Sequence, residues 1–167
     1  MKIAIASDHG GYDLKEKLKT HYSSLNITDL GTDSTDSVDY PDIAQKMVNS
    51  IYSKDTELGI LICGTGVGIS IAANRCKGIR AALIYSQEVA KMAKQHNNAN
   101  ILVFGGRTMS VDDVIKYIDT FLQTEYEGNR HQKRLDKIET MDKNIFNSTN
   151  VDNVKYYDEL SSKIDIW

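Results

Sequence analysis

The sequence has little of several residue types that mark particular classes of protein. It contains one proline, one tryptophan and two cysteines in 167 residues, which excludes a collagen-like chain and a disulfide scaffold. The formal net charge is only −3, and acidic residues are interspersed among the basic ones. We therefore expect no basic surface for nucleic acid.

Long apolar runs are missing as well. No segment approaches the roughly 20 apolar residues of a membrane span. The first apolar run, residues 1–6, is cut short by Ser7-Asp8-His9, unlike a secretory signal peptide. Cys63 and Cys76 are therefore expected as free thiols in a reducing, cytoplasmic compartment.

What the sequence does contain is a regular alternation of strand-like and helix-like segments. Strands are predicted at residues 2–6, 27–30, 58–62, 79–84 and 101–104, with amphipathic helices between them. Leu14, Leu18 and Tyr22 form the apolar face of the first helix, and Lys15 belongs to its charged face. The alternation predicts a three-layer α/β/α, Rossmann-like fold with a five-stranded parallel sheet.

The C-terminal part of the sequence is less regular. A last helix is predicted at about residues 130–139, and the polar segment 140–150 predicts a linker or a loose tail. We expect one domain over residues 1–140 and an extension over residues 141–167, in which Val151 to Ile164 is a candidate short helix.

The most informative segment is Cys63-Gly64-Thr65-Gly66-Val67-Gly68, between a buried strand and a helix. Closely spaced glycines allow backbone N–H groups to surround an anion, and the helix N-terminus adds a positive dipole end. This position favours a reactive thiolate at Cys63, the alternative being a buried structural cysteine. The glycine spacing does not match the nucleotide-binding motifs, so an oxyanion beside a base is the better interpretation.

Three further polar residues are candidates for acid–base chemistry. Asp8 and His9 follow the first strand and are expected at the same sheet edge as Cys63. Asp8 is suited to accepting hydrogen bonds from sugar hydroxyls, the alternative being a turn cap. His96, after the fourth helix, is expected to face that same edge as a proton donor, the alternative being an exposed helix C-cap.

Cationic residues are concentrated in residues 127–134. Arg130 and Arg134 share one predicted helix face. With the adjacent His131 they suit a phosphate group or, alternatively, form an ordinary solvated face. Arg107, after the fifth strand, is a further candidate cation. The spacing of Asp8, His9, His96 and His131 does not match zinc signatures, so no metal site is expected.

Several of these segments, in this order, resemble the type B ribose-5-phosphate isomerase family and its relatives that act on allose and galactose 6-phosphates. The resemblance covers roughly residues 1–140. Its marks are Ser7-Asp8-His9-Gly10-Gly11, Asp39-Tyr40-Pro41, Ile62-Cys63-Gly64-Thr65-Gly66-Val67-Gly68-Ile69-Ser70, Gln95-His96-Asn97, Phe104-Gly105-Gly106-Arg107 and Tyr126-Glu127-Gly128-Asn129-Arg130-His131.

The resemblance implies interconversion of ribose 5-phosphate and ribulose 5-phosphate through a cis-enediolate, without metal or organic cofactor. It also implies a homodimer with active sites shared between subunits, or a tetramer. Two alternatives stay open: a hexose 6-phosphate isomerase, and a non-catalytic sugar-phosphate or nucleotide sensor.

Individual roles are likewise implied by the resemblance. Cys63 matches the base, and His96, aided by Asp8, matches the group that opens the sugar ring. Thr65 and the backbone of Gly64, Gly66, Val67 and Gly68 match the anion hole. Tyr40 and Asn97 match residues of the sugar pocket. The residues that bind the phosphate group, here called the phosphate grip, correspond to His9, Arg107, Arg130, His131 and Arg134, and part of this grip is expected from the partner subunit.

Overall fold

The computed structural model describes residues 1–147, and two units are distinguished along the chain, Met1–His131 and the part from Gln132 onward. The strands are β1 Ile3–Ser7, β2 Ile27–Asp29, β3 Leu58–Cys63, β4 Ala81–Leu83 and β5 Ile101–Gly105. The helices are α1 Tyr12–His21, α2 Tyr40–Tyr52, α3 Val67–Asn74, α4 Gln87–Gln95, α5 Val111–Leu122 and α6 Arg130–Asn147.

The five strands of the first unit form one parallel sheet in the order β2-β1-β3-β5-β4, which confirms the predicted fold class. Successive strand residues point to opposite faces and supply two cores. Ile5 and Ile60 belong to the core that contains Leu14 of α1, whereas Leu61 and Cys63 belong to the core that contains Met47 of α2.

Local sequence signals explain where two of the helices begin. The Ser110 hydroxyl accepts a hydrogen bond from the Asp113 N–H at 3.2 Å and donates one to the Asp113 carboxylate at 2.7 Å, so α5 begins with a side-chain cap. Pro41 occupies the first turn of α2, where its missing N–H has no helical acceptor to lose.

Two predictions about helices are wrong. Lys15 is fully buried rather than part of an exposed charged face of α1. Its burial is possible because its Nζ lies 2.6 Å from Asp29 of β2 and 2.9 Å from Glu16. Periodicity marks a charged residue but cannot identify a partner on a neighbouring strand. α6 continues to Asn147 rather than ending near Glu139, since residues 140–147 contain no glycine or proline to stop it. The predicted helix at Val151 to Ile164 lies outside the described residues.

Candidate active site

The loops after β1 and β3 meet at the carboxyl edge of the sheet. These two strands are adjacent, and the chain moves outward from them in opposite directions, so a crevice forms between their ends. A Cβ on Gly10 would lie 3.0 Å from the backbone of Gly64. The loop after β5 joins them, because the Gly106 N–H donates to the Cys63 carbonyl at 2.8 Å and the Arg107 N–H donates to the Gly64 carbonyl at 2.9 Å.

Cys63 is the last residue of β3, and only 5% of it is exposed. Its Sγ accepts a hydrogen bond from the Gly66 N–H at 3.1 Å, an arrangement that stabilises negative charge on the sulfur. Within the described residues, the N–H groups of Thr65 and Gly68 donate to no protein acceptor. The loop therefore combines a thiol with backbone donors that suit an oxyanion.

Asp8 lies beside this loop and is 6% exposed. Its Oδ1 accepts hydrogen bonds from the Gly10 N–H at 2.8 Å and the Gly11 N–H at 3.1 Å, so one carboxylate oxygen has the turn-capping role considered from the sequence. Oδ2 takes no part in these two bonds. Capping and hydrogen bonding to a sugar hydroxyl are therefore compatible.

His9, Tyr40 and Arg107 lie at this edge too. His9 Nδ1 accepts a hydrogen bond from the Val38 N–H at 3.3 Å, which leaves the proton of a neutral ring on Nε2. The Tyr40 ring lies against Gly68, where a Cβ would be 2.9 Å from its Cζ. Arg107 is exposed next to Gly64.

His96 lies at the opposite edge of the sheet, so the prediction that it faces the same edge as Cys63 is wrong. It is the C-cap of α4, and the loop that follows reaches the beginning of β3, where the Gly59 N–H donates to the Asn100 carbonyl at 2.9 Å. From there β5 extends about 13 Å to Gly105, which pairs with Cys63. The physical reason is that a crossover helix returns the chain to the start of the next parallel strand.

Other predicted site residues lie near His96 and form a cluster with it at the amino edge of the sheet, where the strands begin. The rings of His96 and His131 stack with their centroids 4.0 Å apart and their planes 9° from parallel. His131 is only 3% exposed, and its Nε2 accepts a hydrogen bond from Arg130 Nε at 3.2 Å. This burial leaves little of the His131 ring accessible to a phosphate group.

Glu127 is a member of this cluster that the sequence analysis missed. Its Oε2 lies 3.5 Å from His131 Nε2, and its N–H donates to the Gln95 carbonyl at 3.1 Å. The available signal was its position four residues before His131, the spacing that brings side chains together in a helical turn.

Asn97, Arg130 and Arg134 complete the set of predicted residues. Asn97 is exposed, and its carbonyl accepts a hydrogen bond from Arg80 Nε at 3.1 Å. Arg130 is exposed at the start of α6. Arg134 belongs to the second unit, where its side chain is exposed.

The His96, Glu127 and His131 side chains offer ligand atoms that all lie within 4.8 Å of one another. The imidazole lone pairs lie in the ring planes, and two face-stacked rings direct them along parallel planes rather than toward one ion. Arg130 also already donates to His131 Nε2. In this arrangement the cluster suits ring stacking better than metal ligation.

Comparison with known proteins decides what kind of molecule this is. The sequence profile of the family described as Ribose/Galactose Isomerase matches residues 3–138. The chain belongs to the ribose/galactose isomerase family. A protein of Rickettsia bellii named as a sugar phosphate isomerase is 52% identical over 139 residues, which are 82% of this chain and 96% of that protein.

Solved structures agree with this membership of the ribose/galactose isomerase family. A ribose 5-phosphate isomerase from Thermotoga maritima superposes with a TM-score of 0.82 at 51% identity, covering 84% of this chain and 98% of the other. Ribose-5-phosphate isomerase B from Mycoplasma genitalium, with bound ribulose-5-phosphate, gives a TM-score of 0.80 at 44% identity, covering 85% and 96%.

As a member of the ribose/galactose isomerase family, the protein is an aldose–ketose isomerase of sugar phosphates. This confirms the resemblance found in the sequence and decides against the non-catalytic sensor. Among the described residues, no helix is both long and apolar enough to cross a membrane.

Proposed function

We propose that this enzyme interconverts ribose 5-phosphate and ribulose 5-phosphate through a cis-enediolate, with Cys63 as the base. The observation that carries the proposal is the Gly66 N–H aimed at Cys63 Sγ at 3.1 Å, in a loop with further backbone donors. The Mycoplasma genitalium relative, whose structure holds ribulose-5-phosphate, supports the choice of sugar.

The isomerisation step uses the carboxyl edge. The Cys63 thiolate removes the proton from C2 of the open-chain aldose, the C2–H electrons form the C1–C2 double bond, and negative charge moves to O1. The loop amides of Thr65 and Gly68 stabilise that charge, as an oxyanion hole does. Cys63 then returns the proton to C1, while the O2 proton passes to O1, leaving the ketose.

Ring opening comes first, because ribose 5-phosphate exists mainly as a furanose. In this step the C1–O4 bond breaks, His96 supplies a proton to O4, and Asp8 accepts the proton of the C1 hydroxyl. No net proton is consumed. Both groups act as positioned acid and base.

The site is shared between two copies of the chain. Asp8 and Cys63 lie at the carboxyl edge, whereas His96 lies at the amino edge, so one copy of the first unit does not bring them together. A homodimer in which the amino edge of one copy meets the carboxyl edge of the other supplies both halves. The same contact would add Arg130 to the phosphate grip of His9 and Arg107, and the phosphate-binding role of Arg134 stays a prediction.

A hexose 6-phosphate isomerase is the second candidate, because the family description names galactose beside ribose. The test is turnover of ribose 5-phosphate, allose 6-phosphate and galactose 6-phosphate by the purified enzyme. We expect the highest kcat/KM with ribose 5-phosphate. A higher value with either hexose phosphate would assign that sugar instead.

The role of Cys63 is tested in the same assay. Cys63→Ser should lower kcat by about 10³-fold, since a hydroxyl is a far weaker base than a thiolate and a positioned base contributes about 10²–10⁴-fold. Cys76→Ser is the matched control, because Cys76 lies beyond α3 and away from the loop. A wild-type rate in Cys63→Ser would remove the thiol from the mechanism.

A further inference from the structure

The imidazole of His96 needs support to act on a sugar ring. Its backbone is fixed by the hydrogen bond from the His96 N–H to the Met92 carbonyl at 2.9 Å, but the side chain is only partly buried. Rotation about two side-chain bonds would move the ring nitrogens away from the substrate. A proton donor must be held near its productive geometry, since small displacements cost large factors in rate.

The stacked ring of His131 provides that support. Two nearly parallel rings with centroids 4.0 Å apart restrict rotation of the His96 ring. His131 is 3% exposed and therefore held by its surroundings. Its Nε2 lies 3.2 Å from Arg130 Nε and 3.5 Å from the Glu127 Oε2.

Glu127 links this support to the end of α4. Its carboxylate lies 3.5 Å from the His131 ring, and its backbone N–H donates to the carbonyl of Gln95, the residue before His96. The segment that carries Glu127 and His131 is thus attached to the same helix end that carries His96.

We infer that His131 and Glu127 are positioning residues that hold the His96 imidazole for opening the furanose ring, a role that rests on the proposed function. They act through His96 and need not touch the sugar. This differs from the sequence expectation for His131, which placed it in the phosphate grip.

Ring opening can be measured separately from proton transfer at carbon. Ribulose 5-phosphate has its C5 oxygen esterified, so it cannot close a furanose ring and reaches the base as an open chain. Exchange of its C1 proton with solvent deuterium then requires Cys63 and the anion hole, but no ring opening. Conversion of ribose 5-phosphate requires both steps.

The experiment compares these two rates in the full-length enzyme. His131→Ala should lower kcat for ribose 5-phosphate by about tenfold while deuterium exchange stays within about twofold. His131→Phe, which keeps a flat ring against His96, should recover most of that loss. Glu127→Gln should lower the aldose rate by about threefold with the same selectivity. His21→Ala, on the exposed end of α1, is the control and should change neither rate.

Equal losses of both rates, or no loss of the aldose rate, would overturn the inference. If circular dichroism shows that His131→Ala does not fold, Glu127→Gln is judged by the same criterion: a selective loss of the aldose rate supports the inference, and equal losses or no loss overturn it. Failure of the proposed function gives another result: the wild type would not convert ribose 5-phosphate, or Cys63→Ser would retain deuterium exchange.

Discussion

At the scale of single residues, Gly66 combines two requirements. Its φ of +81° lies in the left-handed region, and its N–H donates to Cys63 Sγ. A Cβ there would lie 2.5 Å from Leu83 Cδ1 and 3.1 Å from the Phe104 backbone. The geometry of the thiol therefore depends on the absence of a side chain at this position.

Gly66→Ala should destabilise the protein by about 2–4 kcal/mol, from left-handed strain of about 1–2 kcal/mol plus the collision with Leu83. Because the loop must shift, kcat should fall by about 100-fold. Gly78→Ala is the matched control: its φ is +74°, but a Cβ there meets nothing within 4 Å. Urea denaturation and turnover check both variants, and equal effects would contradict the argument.

At the scale of elements, a partly buried ionic cluster joins α1 to β2. Asp29 accepts hydrogen bonds from Lys15 at 2.6 Å and from the Gly31 N–H at 2.9 Å, and Lys19 is also 2.6 Å away. Burial alone would raise the pKa of the Asp29 carboxyl, but these bonds outweigh it and lower the pKa. Hydrogen bonds from Lys15 likewise lower the pKa of Glu16.

Carboxyl groups whose pKa is lowered in the folded state stabilise that state at pH values above their pKa in the unfolded state, which is about 4. This stabilisation should be lost as pH falls from about 5 toward the lowered folded values. Asp29→Asn should cost about 3 kcal/mol at pH 7, because Lys15 stays buried with only Glu16 as a carboxylate partner. It should also flatten the loss of stability in acid. Asp13→Asn, on the exposed side of α1, should do neither in urea titrations at pH 7 and pH 4.

Much of the sheet was predictable from the sequence, because apolar periodicity reports directly on burial. The strand from Ile101 to Phe104 was located correctly for this reason. The burial of Lys15 could not be predicted in this way, since it depends on Asp29, which is distant in sequence. The edge of the sheet at which His96 lies follows from the direction of α4, because a crossover helix returns the chain to the amino ends of the strands. That direction was predictable from the sequence.

At the scale of the whole molecule, the residues of the candidate site are divided between the two edges of the sheet. Two inactive variants, one damaged at each edge, should therefore complement each other. Cys63→Ser and His96→Asn mixed in equal amounts and allowed to exchange subunits should regain about one quarter of wild-type activity per chain, since half of random dimers are mixed and each has one intact site. Each variant alone is the control. No recovery after verified exchange would place both groups in one chain's site.

The roughly 13 Å of β5 that separates Cys63 from the His96 loop has a kinetic consequence. If neither copy can complete the reaction alone, progressive dilution should change the dependence of velocity on enzyme from first order to second order. The crossover concentration would then be the dissociation constant of the pair, readable from velocities alone.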